Sequence, residues 1–261
     1  MAARGRALVT GGAKRLGRAM VLYLAGRGHD VAIHYAHSEA EAEATAAEAR
    51  ALGVTAVTLK ADILDETQTE TLIDRAATAL GGSLTVLVNN ASTFDYDNIR
   101  NATRATWDRN LGTNLRAPFV LTQAFARQVP AALSGPDGAR AQGLIVNMLD
   151  QRVRKLTPEF MTYTIAKMGL WALTQTAARA LAPDVRVNAI GPGSTLKGDS
   201  QSQTQFDDQR AASVLKRGAN PADITAALGY FLDAPAVTGQ LLCVDGGQHL
   251  GWKTPDIRGR E

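Results

Sequence analysis

A chain of 261 residues, 45% apolar and 20% charged, has the composition of a folded globular protein and is long enough to bury one large α/β core. Its net charge of +3 is spread along the chain, which argues against a nucleic-acid surface, and its one cysteine, Cys243 in an apolar run, excludes an intrachain disulfide framework and reads as core packing. No His/Cys cluster has metal-ligand spacing, no apolar run is long enough to span a bilayer, and the first strand begins too near Met1 for a signal peptide, so the expectation is a cytoplasmic protein without a metal.

The first predicted strand, 6–10, runs into "TGGAKRLGR", Thr10 to Arg18. Gly11 and Gly12 let the backbone bend sharply, and Gly17 falls in the first turn of a helix. Such a turn offers backbone N–H groups and a helix N-terminus to a pyrophosphate. The second strand, 30–35, leads into "IHYAHS", with no acidic residue to hold an adenosine 2′-hydroxyl. His34, Tyr35, His37 and Ser38, with Lys14 in the turn, instead offer donors and positive charge to a 2′-phosphate, which predicts NADPH rather than NADH. Alanine-rich helical stretches at 39–52 and 65–81 flank a strand at 54–60, and further strands are predicted at 84–89, 143–149, 184–190 and 240–244. This alternation predicts an α/β protein, a single-domain Rossmann fold with a doubly wound, seven-stranded parallel sheet over 1–251 and a tail at 252–261. The polar stretch "LKGDSQSQTQFDDQR", 196–210, interrupts the pattern and reads as a mobile loop, the kind that serves as a lid.

In "YTIAK", Tyr163 and Lys167 stand four residues apart, on one face of a helix. The ammonium can lower the phenol's pKa and reach a cofactor ribose.

In this order, the TGxxxxxG turn, "ADILD", "NNAS", "GTNLRAPF", the Tyr163/Lys167 pair, "RVNAIGPG" and "VDGG" resemble the classical short-chain dehydrogenase/reductase family from end to end. The resemblance implies Tyr163 as proton donor, Lys167 on the cofactor ribose and Asn114 holding a water of the proton relay. It also implies cofactor contacts from Gly11, Lys14, Arg15, Leu16 and Gly17, from Asp62 and Ile63 beside the adenine, from Asn89, Asn90 and Ala91, and from Pro192, Gly193 and Ser194. A homotetramer is the corresponding assembly.

Two positions depart from that family's common pattern. Asp150 stands where the family usually has a serine that bonds a substrate carbonyl, and an ionised carboxylate cannot donate that bond. Arg15 stands where a glycine is usual. Both departures, with "GGAKRLGR", "HY" before a serine and "NNASTF", resemble the pteridine reductases and the related dihydromonapterin reductases. In that subgroup the arginine lies between cofactor phosphate and pterin, and an aromatic ring stacks on the pterin; the roles fall on Arg15 and Phe94, with Ser92 bonding the same ring. The expected function is NADPH-dependent reduction of a dihydropterin or dihydrofolate, with Asp150, Tyr163, Lys167 and Asn114 as the catalytic group. The alternatives are a carbonyl or 3-oxoacyl reductase and a non-catalytic NADP(H)-binding regulator.

Overall fold

The structure is a computed structural model that describes residues 5–198 and 201–252; two positions of the expected lid and nearly all of the expected tail lie outside the described residues. In chain order the elements are β1 (Arg6–Val9), α1 (Arg15–Gly26), β2 (Asp30–Tyr35), α2 (Glu39–Ala51), β3 (Ala56–Lys60), α3 (Glu66–Ala79) and β4 (Val86–Asn89). There follow α4 (Arg104–Leu111), a π-helical turn at Gly112–Arg116, α5 (Ala117–Gln128), β5 (Leu133–Gly135), β6 (Gly138–Arg140), β7 (Gly143–Met148) and α6 (Met161–Ala180). The chain closes with β8 (Val185–Pro192), α7 (Gln203–Ala211), α8 (Pro221–Asp233) and β9 (Leu241–Val244).

The seven long strands form one sheet in the order β3-β2-β1-β4-β7-β8-β9, every neighbouring pair parallel. Strands covered on both faces need apolar side chains on both, which is why they read as continuous apolar runs. Val9, Val31, Ile33, Val88 and Val146 pack with Met20, Leu24 and Phe231 on one face. Leu8, Ala32, Leu87 and Ile145 pack with Leu72, Ile73, Leu121 and Phe125 on the other. Leaving in opposite directions from β1 and β4, the connections open a crevice at the carboxyl ends of those strands, the position at which such sheets bind ligands.

Two local readings are corrected. The stretch 196–210 is not patternless loop, because α7 forms within it. Ser202 and Gln205 close a capping box, and Arg210 donates to the carbonyls of Ser194 and Ala219 at 3.0 and 2.7 Å. The helix buries none of its residues, so it leaves no apolar period in the sequence. The hairpin β5–β6 was absent from the expected strands, being three residues per strand and wholly exposed. Its Pro136-Asp137-Gly138 turn was the available signal.

His34 lines the crevice as expected, but its ring cannot serve a phosphate. It is 2% exposed, its Nδ1 accepts from the Gly11 N–H at 3.1 Å and its Nε2 lies 3.0 Å from the Ala61 carbonyl oxygen. These partners require a neutral ring with the proton on Nε2, leaving neither nitrogen for a phosphate. Tyr35 likewise joins the core beneath α1 and α2. Burial lowers the His34 pKa to about 4. Unfolded histidine takes up a proton near pH 6.5 and the folded ring does not, so stability is lost as pH falls from 6.5 towards 4, by about 3 kcal/mol in all. His34→Gln should therefore be less stable than the wild type near neutrality and lose stability less steeply over that range, as chemical denaturation at a series of pH values will show; equal acid slopes would contradict this account of His34.

Candidate active site

The glycine turn forms one wall of the crevice. Gly11 has φ +60°, and a Cβ on Gly17 would lie 2.0 Å from the Gly11 carbonyl oxygen, so turn and helix meet at a distance only glycine allows. The N-terminus of α1 has no side-chain cap and no acidic residue in its first turn, so its N–H groups remain donors facing the crevice. The Thr10 hydroxyl holds the opposite wall by accepting from the N–H groups of Asn90 and Ala91 at 2.9 and 3.0 Å. A close-approach turn, uncapped donors and Lys14 fit a pyrophosphate cofactor carrying a further phosphate.

The crevice encloses about 780 Å³. Of the residues anticipated for it, Gly11, Lys14, Arg15, Leu16, Gly17, His34, His37, Asp62, Ile63, Asn90, Ala91, Ser92, Asp150, Tyr163, Lys167, Pro192 and Gly193 line it. Tyr35, Ser38, Asn89, Phe94, Asn114 and Ser194 stand outside the lining. Asn89 is buried behind the wall, donating to Asn147 Oδ1 at 2.8 Å, and Ser194 turns its hydroxyl to Gln209. Lys14 Nζ lies 3.9 Å from Glu41 Oε1, a solvent-exposed pair that contributes little and leaves the ammonium free to exchange partners.

Asp150 ends the loop after β7, and Tyr163 lies in the first turn of α6. Tyr163 Oη donates to Asp150 Oδ2 at 3.0 Å, while Asp150 Oδ1 accepts from the Arg152 N–H at 2.8 Å. One turn further along α6, Lys167 Nζ donates to the Met148 carbonyl oxygen at 2.8 Å and stands 5.5 Å from the Tyr163 ring centre. Burial raises the Asp150 carboxyl above its ordinary range, against the pull of the Arg152 N–H and charge. Burial, then the negative charge of Asp150, raises the Tyr163 phenol well above its own. Lys167 is lowered to about 8 by burial, which the Asp150 charge opposes. The phenol therefore keeps its proton at neutral pH, as a proton donor must.

Asn114 lies in the π-helical turn, an irregularity often found at functional sites. It is fully buried; its Oδ1 accepts from the Ser92 hydroxyl at 2.6 Å and its Nδ2 donates to the Thr93 carbonyl oxygen at 3.1 Å. Phe94 stacks on Phe160, with ring centres 4.1 Å apart, and meets the Tyr163 ring edge-on at 4.7 Å. The Arg152 guanidinium lies 4.8 Å from the Phe160 ring centre and 5.7 Å from that of Phe94. Sequence reasoning missed Phe160 and Arg152. Phe160 has φ +54°, strained for so bulky a residue, and only its position before the tyrosine helix could have drawn attention to it.

Arg15 has φ +55°, the conformation for which glycine is suited, at a cost on the order of 1 kcal/mol. Its guanidinium reaches the crevice mouth and donates to the carbonyl oxygens of Lys197 and Leu196 at 3.0 and 3.3 Å.

The family model described as enoyl-(acyl carrier protein) reductase matches residues 11–249. The chain is 31% identical over 249 residues to the 3-oxoacyl-[acyl-carrier-protein] reductase of Staphylococcus aureus, covering 94% of this chain and 98% of that protein. It is 31% identical over 257 residues to a short-chain dehydrogenase/reductase of Hericium erinaceus, covering 95% and 99%. Among solved structures, FolM alternative dihydrofolate reductase 1 from Brucella suis in complex with NADP matches with a TM-score of 0.91 at 40% identity, covering 99% of this chain and 100% of that one. A short-chain dehydrogenase from Burkholderia cenocepacia in complex with NADP matches with a TM-score of 0.84 at 32% identity, covering 94% and 97%.

Because the Asp150 charge raises both Tyr163 and Lys167, removing it must lower both. Asp150→Ser should accordingly move the high-pH limb of the kcat/KM profile, expected near pH 8 from Lys167 in the wild type, to lower pH. A limb that stays in place or moves upward in the profiles would contradict the electrostatic coupling.

Proposed function

As a member of the classical short-chain dehydrogenase/reductase family, the chain, we propose, is an NADPH-dependent reductase of a dihydropteridine such as dihydromonapterin, dihydrobiopterin or dihydrofolate. The observation that carries this reading is the hydrogen bond between Tyr163 and Asp150 where the family's common arrangement has a serine hydroxyl. A carboxylate is a poor partner for a ketone oxygen but a good acceptor for the amino and ring N–H groups of a pteridine. The NADP complexes of the FolM proteins, at 40% identity, support both halves of the reading.

Gly11, Gly17 and the N-terminus of α1 would hold the pyrophosphate, Lys14 and His37 the adenosine 2′-phosphate, and Lys167 the ribose next to the reacting ring. When bound, the nicotinamide supplies a hydride to the ring carbon of a C=N bond. Tyr163 Oη delivers the proton to the nitrogen. Asp150 holds that hydroxyl in place and keeps it protonated beforehand, and Lys167 compensates the charge left on the phenol. Phe94 presents a flat apolar surface, Ser92 a hydroxyl and Arg15 a planar donor, which together suit a flat polar heterocycle. Trp107, Phe119, Ile165 and Met168, exposed on α4 to α6, support the expected homotetramer.

A second reading, reduction of a 3-oxoacyl thioester, is favoured by the Staphylococcus aureus relative. Steady-state oxidation of NADPH with dihydrobiopterin, dihydromonapterin, dihydrofolate and an acetoacetyl thioester separates the two. The expected result is a kcat/KM at least about tenfold higher for a dihydropteridine, with NADPH preferred over NADH. Tyr163→Phe and Asp150→Ser should each lower kcat on the pteridine by about 10²–10⁴-fold while NADPH still binds. Efficient reduction of the thioester with none of the pteridines would replace the first reading by the second.

A further inference from the structure

Between β4 and α4 the chain passes through Ser92, Phe94 and Tyr96 with no helix or strand of its own. What ties this segment to α6 is a line of three buried polar side chains: Asp97, Thr162 and Asn110 are 1%, 2% and 0% exposed. Asn110 Nδ2 donates to Thr162 Oγ1 at 2.8 Å, and Thr162 Oγ1 donates to Asp97 Oδ2 at 2.5 Å. Asp97 also accepts from the Thr162 N–H at 3.1 Å, and its carbonyl oxygen accepts from the Met161 N–H at 3.3 Å, so it serves two otherwise orphaned donors of the first turn of α6. At the other end Asn110 Oδ1 accepts from the Thr93 hydroxyl at 3.0 Å.

The direction of the line is set by Asp97, which accepts only, and at its far end Asn110 Oδ1 also accepts from Asn114 Nδ2 at 3.4 Å. Thr162 immediately precedes Tyr163, while Asp97 follows Phe94 by three residues. We propose that Asp97 is a positioning residue: through Thr162 and Asn110 it clasps the segment carrying Ser92 and Phe94 onto the N-terminus of the tyrosine helix, and so fixes the distance between the ring-binding surface and Tyr163 Oη. The proposal rests on the reading of Ser92 and Phe94 as substrate contacts.

The two sides of the clasp depend on it unequally. Further along, α6 is held by Lys167 on the Met148 carbonyl oxygen and by Thr174 on Asn147. Besides the clasp, Ser92 and Thr93 are held by Asn114, whereas the stretch from Phe94 to Asp97 has the exposed ion pair of Asp95 with Arg109 and the packing of Phe94 and Tyr96 against Phe160. Losing the clasp therefore moves the part of the segment that carries Phe94, while Asn114 keeps Ser92 and the rest of α6 keeps the tyrosine in place. The loss falls on KM for the ring substrate and spares kcat and NADPH affinity.

Asp97→Asn turns one end of the line into a donor, so that two amides point N–H groups at the same hydroxyl and the hydroxyl proton has no acceptor. Adding Asn110→Asp reverses the whole line: the side chain at 97 donates to Thr162, Thr162 donates to the side chain at 110, and the remaining oxygen there still accepts from Thr93. The test measures KM, kcat and NADPH Kd for the wild type, Asp97→Asn and the double variant, on whichever of dihydrobiopterin and an acetoacetyl thioester the wild type reduces. The expected result is a KM raised about tenfold in Asp97→Asn, with kcat and NADPH Kd within about threefold, and a KM restored to within about threefold in the double variant. An unchanged KM in Asp97→Asn, a parallel loss of NADPH affinity, or a double variant no better than the single one overturns the proposal. If Asp97→Asn does not fold, the double variant decides by the same KM criterion. A wild type active on the thioester alone overturns the pteridine reading and leaves the clasp to be judged on that substrate.

Discussion

The hydrogen bond from Tyr163 Oη to Asp150 Oδ2 sets the chemistry available to this crevice. In the family's common arrangement, the expected neighbour of the tyrosine is a neutral hydroxyl and a lysine lowers the phenol's pKa. Here a buried carboxyl beside the phenol works in the opposite direction, and the phenol holds its proton. A group that holds its proton at neutral pH is suited to completing a reduction. Lys167, lowered by its own burial, is raised in turn by the same carboxyl, so Asp150 acts on both of its neighbours.

The fold supplies this arrangement with short connections. Met148 ends β7 and Asp150 follows it, and the chain returns through Arg152 and the strained Phe160 into α6, so that residues 13 apart in sequence meet across the crevice. On the other side, the turn after β1 meets the loop after β4 through Thr10. The crevice is thus bordered by the ends of adjacent parallel strands, which the sheet hydrogen bonds hold in register. The segment with Ser92 and Phe94 has no such ladder, and buried polar side chains take its place. Strain is stored at two positions facing this region, Arg15 and Phe160.

The sheet was legible because its strands are buried on both faces and bounded by glycine, polar turns and alanine-rich helices; all seven were anticipated, most with ends displaced by one or two residues. Elements that bury nothing were not legible: α7 and the β5–β6 hairpin have no apolar period, and only a capping box and a Pro-Asp-Gly turn announce them. The engagement of both His34 ring nitrogens was not legible, because a histidine at the end of a strand has the same sequence signature whether it offers its ring to a ligand or bonds inward to Gly11 and Ala61. The departures at Arg15 and Asp150 could be seen against the family pattern. The Asp97 line could not, since its three members are distant in sequence and each resembles a capping or loop residue.

The central claim is that Asp150 is the acceptor for an N–H-rich ring beside Tyr163. Calorimetric binding of a 2-aminopteridine that cannot be reduced, to wild type and Asp150→Asn each saturated with NADP⁺, tests it without turnover. The account predicts binding to the wild type and an affinity about 10- to 100-fold weaker in the variant, the magnitude of a charge-assisted hydrogen bond. Equal affinity for the two proteins, or no binding to either, would contradict it.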